Sequence, residues 1–381
     1  MPPFHFEMTK NSPRDIFPWL CLYLVSGVGN VACRKLIEHF GSPEEIFRGS
    51  VPELMEAGEI REGVARKITR KVFSIDPEQE MKRAEKIGAN IIPFPDSSYP
   101  SLLREIHDPP VILYARGKPI PPRQEFVAVV GSRNATEYGK RTAQKIALGL
   151  AENGIGISSG LARGVDAAAH WGCLRGRGFT IAVLGTGIDI RYPRSNEKLF
   201  DRVLGQGAVI SDFPMGTAPE PKNFPMRNRI ISGVSRGIVV VEATRQSGSL
   251  ITAGLALEQG RDVFAVPGSI DSFKSRGPHF LIKQGAKLVE HAEDILSEIG
   301  WPYALENHGE DENGEMPVPG LEPDEDRVFK CLGPYPMHID EIIRSTGYAP
   351  GEISSILTRL ELMGLAVQMP GMMFVKAQRE E

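Results

Sequence analysis

The sequence has few cysteines and no long apolar run, and each absence excludes a class of protein. Cys21, Cys33, Cys173 and Cys331 form no CxxC pair and lie near no histidine cluster. A disulfide framework and a zinc site are therefore not expected. No apolar stretch is long enough to span a bilayer, and residues 1–10 lack the basic and apolar regions of a secretory signal. We expect reduced thiols, no bound metal, no membrane span and a cytoplasmic location.

Two nucleotide-binding fingerprints are also absent. The sequence has no Gly-x-x-x-x-Gly-Lys-Ser/Thr loop for ATP, and residues 131–134 read Gly-Ser-Arg-Asn instead of Gly-x-Gly-x-x-Gly. Neither an ATPase nor a dehydrogenase is indicated, and we expect no cofactor. Asp166, Asp189 and Glu242 follow predicted strands without a histidine or a metal-spaced partner. His170 is better explained as a helix-face contact than as a base, so no catalytic residue is predicted.

The charge of the chain is nearly balanced, with a formal net charge of -4 over 381 residues. Much of the acidity lies between residues 306 and 326, outside the central part of the chain. Because local distribution decides phosphate binding, a basic groove elsewhere is compatible with this balance. The length exceeds what one core usually organises, which predicts two or three domains.

From Phe126 onward, short β-branched runs alternate with helical patterns. This alternation predicts an α/β fold, a doubly wound, mostly parallel Rossmann-like sheet with helices on both faces. One helix is predicted from Lys140 to Glu152, where apolar residues recur at helical spacing. The predicted strands are Phe126–Val130, Ile155–Ser158, Phe179–Leu184, Ala208–Ser211, Gly237–Val241 and Asp262–Val266.

The flanking regions predict two smaller domains. Residues 1–89 show helical spacing around a turn at Ser26–Gly29, which predicts a small N-terminal helical domain, SAM-like or helix-hairpin-helix-like. This hairpin could hold a DNA phosphate or simply join two helices. The Rossmann-like domain spans 90–300, with a proline-rich, extended start and a core from about residue 120. We expect residues 301–320 to form an acidic linker, and 321–381 predict a winged-helix domain, because helical patterns there precede a hairpin.

Small or basic residues follow nearly every predicted strand of the central domain. In an open α/β sheet, ligands bind at the carboxyl ends of the strands, where helix N-termini offer amides to anions. We therefore predict one anion-binding rim, which could hold a mononucleotide or a run of phosphates. The number of basic residues favours the longer polyanion, single-stranded DNA. The candidate DNA-binding residues are Gly131, Ser132, Arg133, Ser159, Gly160, Arg163, Arg194, Lys198, Lys222, Phe224, Arg227, Asn228, Arg229, Arg245 and Ser247.

Phe224 and the arginines after it admit two interpretations. Phe224 lies between Lys222 and Arg227, where it could stack a base beside clamped phosphates or pack against the sheet edge. Arg227 and Arg229 open an apolar helix that begins at Ile230, and we interpret them as anion contacts instead of solvated surface charges.

Several short motifs occur in one order, and together they are far more specific than any one of them. They are Gly131-Ser-Arg133, Ser159-Gly-x-Ala-x-Gly-x-Asp166, Gly185-Thr-Gly-x-Asp189, Tyr192-Pro-x-x-Asn196, Phe224-Pro-x-Arg-Asn-Arg-Ile-Ile-Ser-Gly233, Ser247-Gly-Ser-Leu-Ile-Thr252 and Pro267-Gly-Ser269 with Arg276-Gly277. This set resembles the DNA-processing protein A family of bacteria (DprA, also called Smf). The N-terminal helical region and the C-terminal region also match the layout of longer members.

The resemblance implies a non-catalytic, cytosolic protein that binds incoming single-stranded DNA during natural transformation. Such a protein shields the strand from nucleases and helps to load the RecA recombinase on it. The resemblance also implies a homodimer through the central domain, with Leu281 and Leu288 as candidate interface residues. The phosphate contacts that it implies are Arg133, Arg194, Lys198, Lys222, Arg227 and Arg229.

Two other functions remain open. The first is a nucleotide-processing hydrolase of the phosphoribohydrolase type, in which Arg133 or Arg229 would act with Glu242. Its usual Pro-Gly-Gly-x-Gly-Thr loop is absent, and the corresponding strand end reads Glu-Ala-Thr-Arg-Gln from residue 242. The second is a duplex-specific regulator acting through the C-terminal domain. Its predicted recognition helix, Pro350–Met363, has too few cations for tight duplex binding.

Overall fold

The computed structural model describes residues 13–302, 321–333 and 336–377, so the predicted linker lies almost entirely outside the described residues. The chain divides into two compact units, of which the larger holds nearly all of 13–302 and the smaller holds 321–377. None of the helices in these ranges is both long enough and apolar enough to cross a membrane.

The N-terminal part of the larger unit is helical. Ser42, Ser50 and Asp76 each cap a helix by accepting a backbone N–H bond, and a proline is the first or second residue of each of these helices. The predicted turn at Ser26–Gly29 separates the first two helices. The six helices are α1 (Pro13–Tyr23), α2 (Asn30–Phe40), α3 (Pro43–Ile46), α4 (Val51–Gly58), α5 (Glu62–Thr69) and α6 (Pro77–Lys86).

Within residues 13–302 the strands form one nine-stranded sheet in the order β1-β2-β6-β5-β4-β3-β7-β8-β9. All neighbours from β6 to β9 are parallel, whereas β2 is antiparallel to both β6 and β1. The mostly parallel Rossmann-like fold is thus confirmed. The strands are β1 (Asn90–Pro93), β2 (Ile112–Gly117), β3 (Phe126–Val130), β4 (Gly156–Ser159), β5 (Thr180–Val183), β6 (Ala208–Ser211), β7 (Gly237–Val240), β8 (Asp262–Ala265) and β9 (Lys287–Leu288).

Helices cover both faces of the sheet. Every residue of β3 is buried; Val127 and Val129 pack on one face against α8, while Ala128 and Val130 pack on the other against α11 and α12. The helices are α7 (Ser101–Arg104), α8 (Glu137–Glu152), α9 (Val165–Arg175), α10 (Glu197–Gln206), α11 (Asn223–Gly233), α12 (Gly248–Glu258), α13 (Arg276–Lys283) and α14 (Ala292–Glu298), with 3₁₀ turns at Arg194–Asn196 and Phe273–Ser275.

The strand order reverses between β3 and β7. The chain moves from β3 outward to β6 and then returns to place β7 on the other side of β3. Such a switch point separates the loops that follow neighbouring strands and opens a crevice at their carboxyl ends. The fold therefore positions the predicted rim at this crevice.

The N-terminal helices share a hydrophobic core with the sheet, and a buried carboxyl group on α6 joins the two parts. One oxygen of Glu80 accepts hydrogen bonds from the Tyr114 hydroxyl at 2.8 Å and from the Met215 amide at 2.7 Å. Nearby, Arg83 pairs with Asp189 at 3.3 Å. The helical part is thus anchored to the loops that follow β5 and β6.

The smaller unit has its own apolar core, which includes Ile342, Ile353 and Leu360. Its three strands form a sheet in the order β10-β12-β11, and its helices agree with the predicted winged-helix domain. The elements are α15 (Pro323–Cys331), β10 (Met337–His338), α16 (Ile339–Thr346), α17 (Pro350–Leu362), β11 (Ala366–Met369) and β12 (Met373–Lys376).

His170 lies on α9 inside the core, where it contacts Thr180 of β5. The Thr180 hydroxyl donates to the Ile157 carbonyl at 3.0 Å, so the Nδ1 atom of His170, 2.7 Å from that hydroxyl, is the donor to it. Burial, assisted by the charge of Arg227, lowers the pKa of His170 to about 3. The imidazole is therefore neutral and structural at physiological pH.

We expect Tyr114→Phe to lower the free energy of unfolding by about 1–3 kcal/mol, because the buried Glu80 carboxyl loses a hydrogen bond. The matched control is Tyr99→Phe, which removes a hydroxyl bonded to the Pro110 carbonyl at 2.9 Å and should cost less. Urea unfolding of both variants measures the difference. Equal losses of stability in the two variants would show that the hydrogen bond to the Glu80 carboxyl contributes no more than the bond to the Pro110 carbonyl.

We expect His170→Asn to flatten the pH dependence of stability. The imidazole has a pKa of 6.5 when unfolded and about 3 when folded, so the unfolded chain binds its proton first. Native stability therefore falls as pH drops from about 6.5 toward 3, by up to about 1.4 kcal/mol per pH unit. Urea unfolding between neutral and mildly acidic pH should show a smaller slope in the variant. The two slopes would coincide if His170 were protonated in the fold.

Candidate nucleic-acid interface

A cleft lies where the loops after β3, β4 and β5 meet the start of α11. Its walls include Arg133, Arg163, Gly185, Tyr192, Phe224 and Arg227. These residues come from distant parts of the chain and are brought together because the parallel strands end at the same edge. The structure thus joins the first, second and third predicted loops into one site.

An aromatic pair and an arginine form the open side of the cleft. The rings of Tyr192 and Phe224 lie 5.7 Å apart with 37° between their planes. The guanidinium carbon of Arg133 is 5.3 Å from the centre of the Phe224 ring. This distance suits a cation–π contact, which orients the exposed guanidinium beside the aromatic surface. The arrangement offers stacking surfaces for a base next to a cation for a phosphate.

The glycine at position 185 permits this placement of Phe224. A Cβ atom at Gly185 would lie 2.9 Å from the Cδ1 atom of Phe224, closer than real Cβ contacts allow. Any other residue at this position would displace the ring. Phe224 is therefore both packed against the loop after β5 and partly open to solvent, so the two interpretations of this residue are compatible.

Arg227 forms the buried base of the cleft. Its Nη1 atom donates to the carbonyl of Gly160, at 2.9 Å, and to that of Val183. Burial lowers the pKa of Arg227 to about 10, and Asp166 opposes the shift, so the guanidinium stays charged at neutral pH. Burial likewise raises the pKa of Asp166, which accepts from the Gly160 amide at 3.1 Å. Arg227 thus shapes the site from below.

Arg229 does not fit the phosphate contact that we expected from the sequence. Its side chain is buried and pairs with Asp212 at 2.6 Å and with Asp108 at 3.0 Å. Two carboxyl groups already compensate its charge, and a phosphate would have to compete with both. The neighbouring Asn228 is also buried and donates to the Gly248 carbonyl at 3.4 Å. Both side chains hold α11 in place.

The other basic candidates are exposed along the rim. Lys222 carries an exposed ion pair to Glu220 at 2.7 Å, which is weak in solvent and can yield to a phosphate. Arg245 lies in the loop after β7, with its guanidinium carbon 6.0 Å from the Phe280 ring centre. The candidate residues with exposed cationic side chains are Arg133, Arg163, Arg194, Lys198, Lys222 and Arg245.

The small candidates have structural contacts. Ser159 is buried and donates to the Val129 carbonyl at 2.7 Å. Ser132 accepts from the Asn134 amide at 3.2 Å, and Ser247 caps α12 by accepting from Ser249. A Cβ atom at Gly131 would lie 2.7 Å from Val165, and one at Gly160 would meet the guanidinium of Arg227. These residues bring the loops close together.

Tyr192 was missing from the candidate residues, although its ring is exposed in the cleft. The sequence contains a signal for this residue, because the Tyr-Pro motif places an aromatic side chain just after the third predicted loop. Of the two candidate interface residues, Leu288 is 44% exposed on β9, at the edge of the sheet, whereas Leu281 is 7% exposed and packs in the core. Of these two leucines, Leu288 is therefore the one that exposes a substantial apolar surface.

Comparison with known proteins identifies the family. Residues 90–300 match the model of DNA recombination-mediator protein A, and residues 313–372 match that of the DprA winged helix domain. Protein Smf of Synechocystis is 35% identical and aligns over 93% of this chain and 97% of its own length.

A relative and a solved structure that are named for DNA processing point to the same family. The DNA processing protein DprA of Streptococcus pneumoniae is 41% identical, over 72% of this chain and 95% of its own. The crystal structure of DprA from Streptococcus pneumoniae has a TM-score of 0.67 at 37% identity, covering 78% of this chain and all of that one. The order of motifs, the sheet and these matches agree: the chain belongs to the DNA-processing protein A (DprA/Smf) family.

Proposed function

We propose that this protein binds single-stranded DNA along the rim at the carboxyl ends of its strands. The main support is that the exposed guanidinium of Arg133 lies over the ring of Phe224, which is next to the ring of Tyr192. Cations that follow a backbone and aromatic faces that accept any base are the combination found in binders of single strands. The cations on both sides of the cleft extend the site beyond one nucleotide.

The proposed role is binding without covalent chemistry. A hydrolase would need a carboxyl group that reaches its substrate, but the aspartates that follow β4, β5 and β6 have structural partners. Asp166 accepts backbone N–H bonds, Asp212 pairs with Arg229, and Asp189 accepts from the Gly216 amide at 2.8 Å. Glu242, the acid that the phosphoribohydrolase alternative requires, is buried. These contacts favour a binding protein over that alternative.

Family membership supports a wider role for the same surface. We propose that the protein acts in the cytoplasm during natural transformation, that it shields incoming single strands, and that it helps to load RecA on them. We also propose a homodimer through the central domain. The exposed Leu288 on the edge strand β9 supports this assembly, since an edge strand with unpaired backbone groups can pair with a second copy.

We expect Arg133→Ala to weaken the binding of a labelled oligothymidine about 10- to 100-fold, because a charged hydrogen bond to phosphate is lost. The slope of log affinity against log salt should fall by about 0.7 for that contact. The control is Arg175→Ala, which removes an exposed charge at the end of α9, away from the rim. Fluorescence anisotropy across a salt series measures both quantities.

Unchanged affinity in Arg133→Ala would exclude the cleft as the binding site. A parallel assay for base release from nucleoside monophosphates tests the alternative function, a hydrolase of the phosphoribohydrolase type. Base release by the unaltered protein, together with no binding of the oligonucleotide, would replace the proposed function with the hydrolase.

We expect Leu288→Glu to convert the homodimer to a monomer, because a charge placed at an apolar interface opposes its burial. The control is Leu362→Glu in the smaller unit, where the leucine is 83% exposed. Light scattering coupled to gel filtration measures both masses. A dimer that survives Leu288→Glu would place the interface elsewhere.

A further inference from the structure

The loop after β8 presents two large apolar side chains to solvent. Ile270 is 85% exposed and Phe273 is 58% exposed. A single exposed apolar residue needs no explanation, but two in one loop, beside the cations of Lys274 and Arg276, form a distinct surface. The Nζ atom of Lys274 lies 5.8 Å from the centre of the Phe273 ring. This surface combines an aromatic face with positive charge, as the cleft does.

This loop is part of the same rim as the cleft. In the sheet, β8 is separated from β3 only by β7, so the carboxyl ends of β3 and β8 lie about 10 Å apart. Lys274 links them directly, because its ammonium donates to the carbonyl of Asn134, the residue after Arg133. Arg245 lies in the loop after β7, the strand between β3 and β8 in the sheet. A cationic path therefore runs from the cleft toward Phe273.

The backbone around Phe273 is anchored although the ring is exposed. Phe273 begins a 3₁₀ turn that Ser272 caps by accepting from the Lys274 amide at 3.3 Å. The Lys274 carbonyl accepts from the amide of Ala243, in the loop after β7, at 2.8 Å. A Cβ atom at Gly277 would lie 2.6 Å from Ala243, so this approach requires glycine. A ring that is anchored at its base and 58% exposed is suited to stacking.

We propose that Phe273 is a second stacking position for single-stranded DNA. A strand held at Arg133 and Phe224 continues past Arg245 to the β8 loop, where a base stacks on Phe273 and Arg276 lies near the backbone. This inference rests on the proposed function and extends it from one cleft to a path across the switch point. Strands long enough to reach both aromatic positions bind more tightly than strands that fill the cleft alone.

The test compares Phe273→Ala with the unaltered protein on two labelled oligothymidines, one of about three nucleotides and one of about twenty. Loss of one stacked base should weaken the long strand roughly 5- to 150-fold and leave the short strand unchanged. The salt slope should not change, because no ionic contact is removed. Phe273→Tyr should restore the affinity, whereas Phe273→Leu, which keeps apolar bulk without an aromatic face, should not.

The matched control is Trp171→Ala, which removes an exposed aromatic ring in the second half of α9, away from the rim. Equal affinity of Phe273→Ala and the unaltered protein for the long strand would overturn the inference alone. Equal loss for both strands would also overturn it, because it would show that the ring supports the cleft. No binding of either strand by the unaltered protein would overturn the proposed function and the inference together.

Discussion

The guanidinium of Arg227 is buried where the loops after β4 and β5 meet, and a buried charge requires partners. Two backbone carbonyls and the field of Asp166 supply them, so the loops that carry these groups must converge on one point. A carbonyl left without its donor would itself be costly in the interior. The shape of the cleft therefore depends on this one side chain, which begins on α11 and reaches across the ends of two strands.

The same helix shows how charge is divided between the interior and the surface. Arg227 and Arg229 face inward, where carbonyls and carboxyl groups compensate them, while the cations on the other loops face solvent. Interior arginines fix the positions of the loops, and exposed ones remain open to a ligand. The exposed cations can therefore meet a polyanion without giving up a contact of the core.

Much of the fold could be predicted from the sequence, because buried parallel strands are apolar along their whole length and end in small residues. The six predicted strands all exist with shifts of one residue at most. The proline-rich region from residue 90 was predicted as an extended connection, but it supplies β1 and β2, which extend the sheet. Both strands are short, and the prolines between them, Pro95, Pro100, Pro109 and Pro110, gave the whole region the composition of a linker.

The candidate site could be predicted as a set of loops, but not residue by residue. Arg229 resembled an anion contact because basic residues at a helix start commonly bind phosphate. Its actual partners, Asp108 and Asp212, lie far apart in the sequence, and only the folded chain brings them to α11. A basic motif therefore identifies a region of positive charge without distinguishing compensated cations from available ones.

The anchoring of the N-terminal helices extends this reasoning beyond the cleft. Glu80 holds the Met215 amide after β6, and Arg83 pairs with Asp189 after β5, the loop that also carries Gly185. The loop that seats Phe224 is thus supported from α6 as well as from Arg227. The helices brace the rim through these contacts, although none of the residues that line the cleft belongs to them.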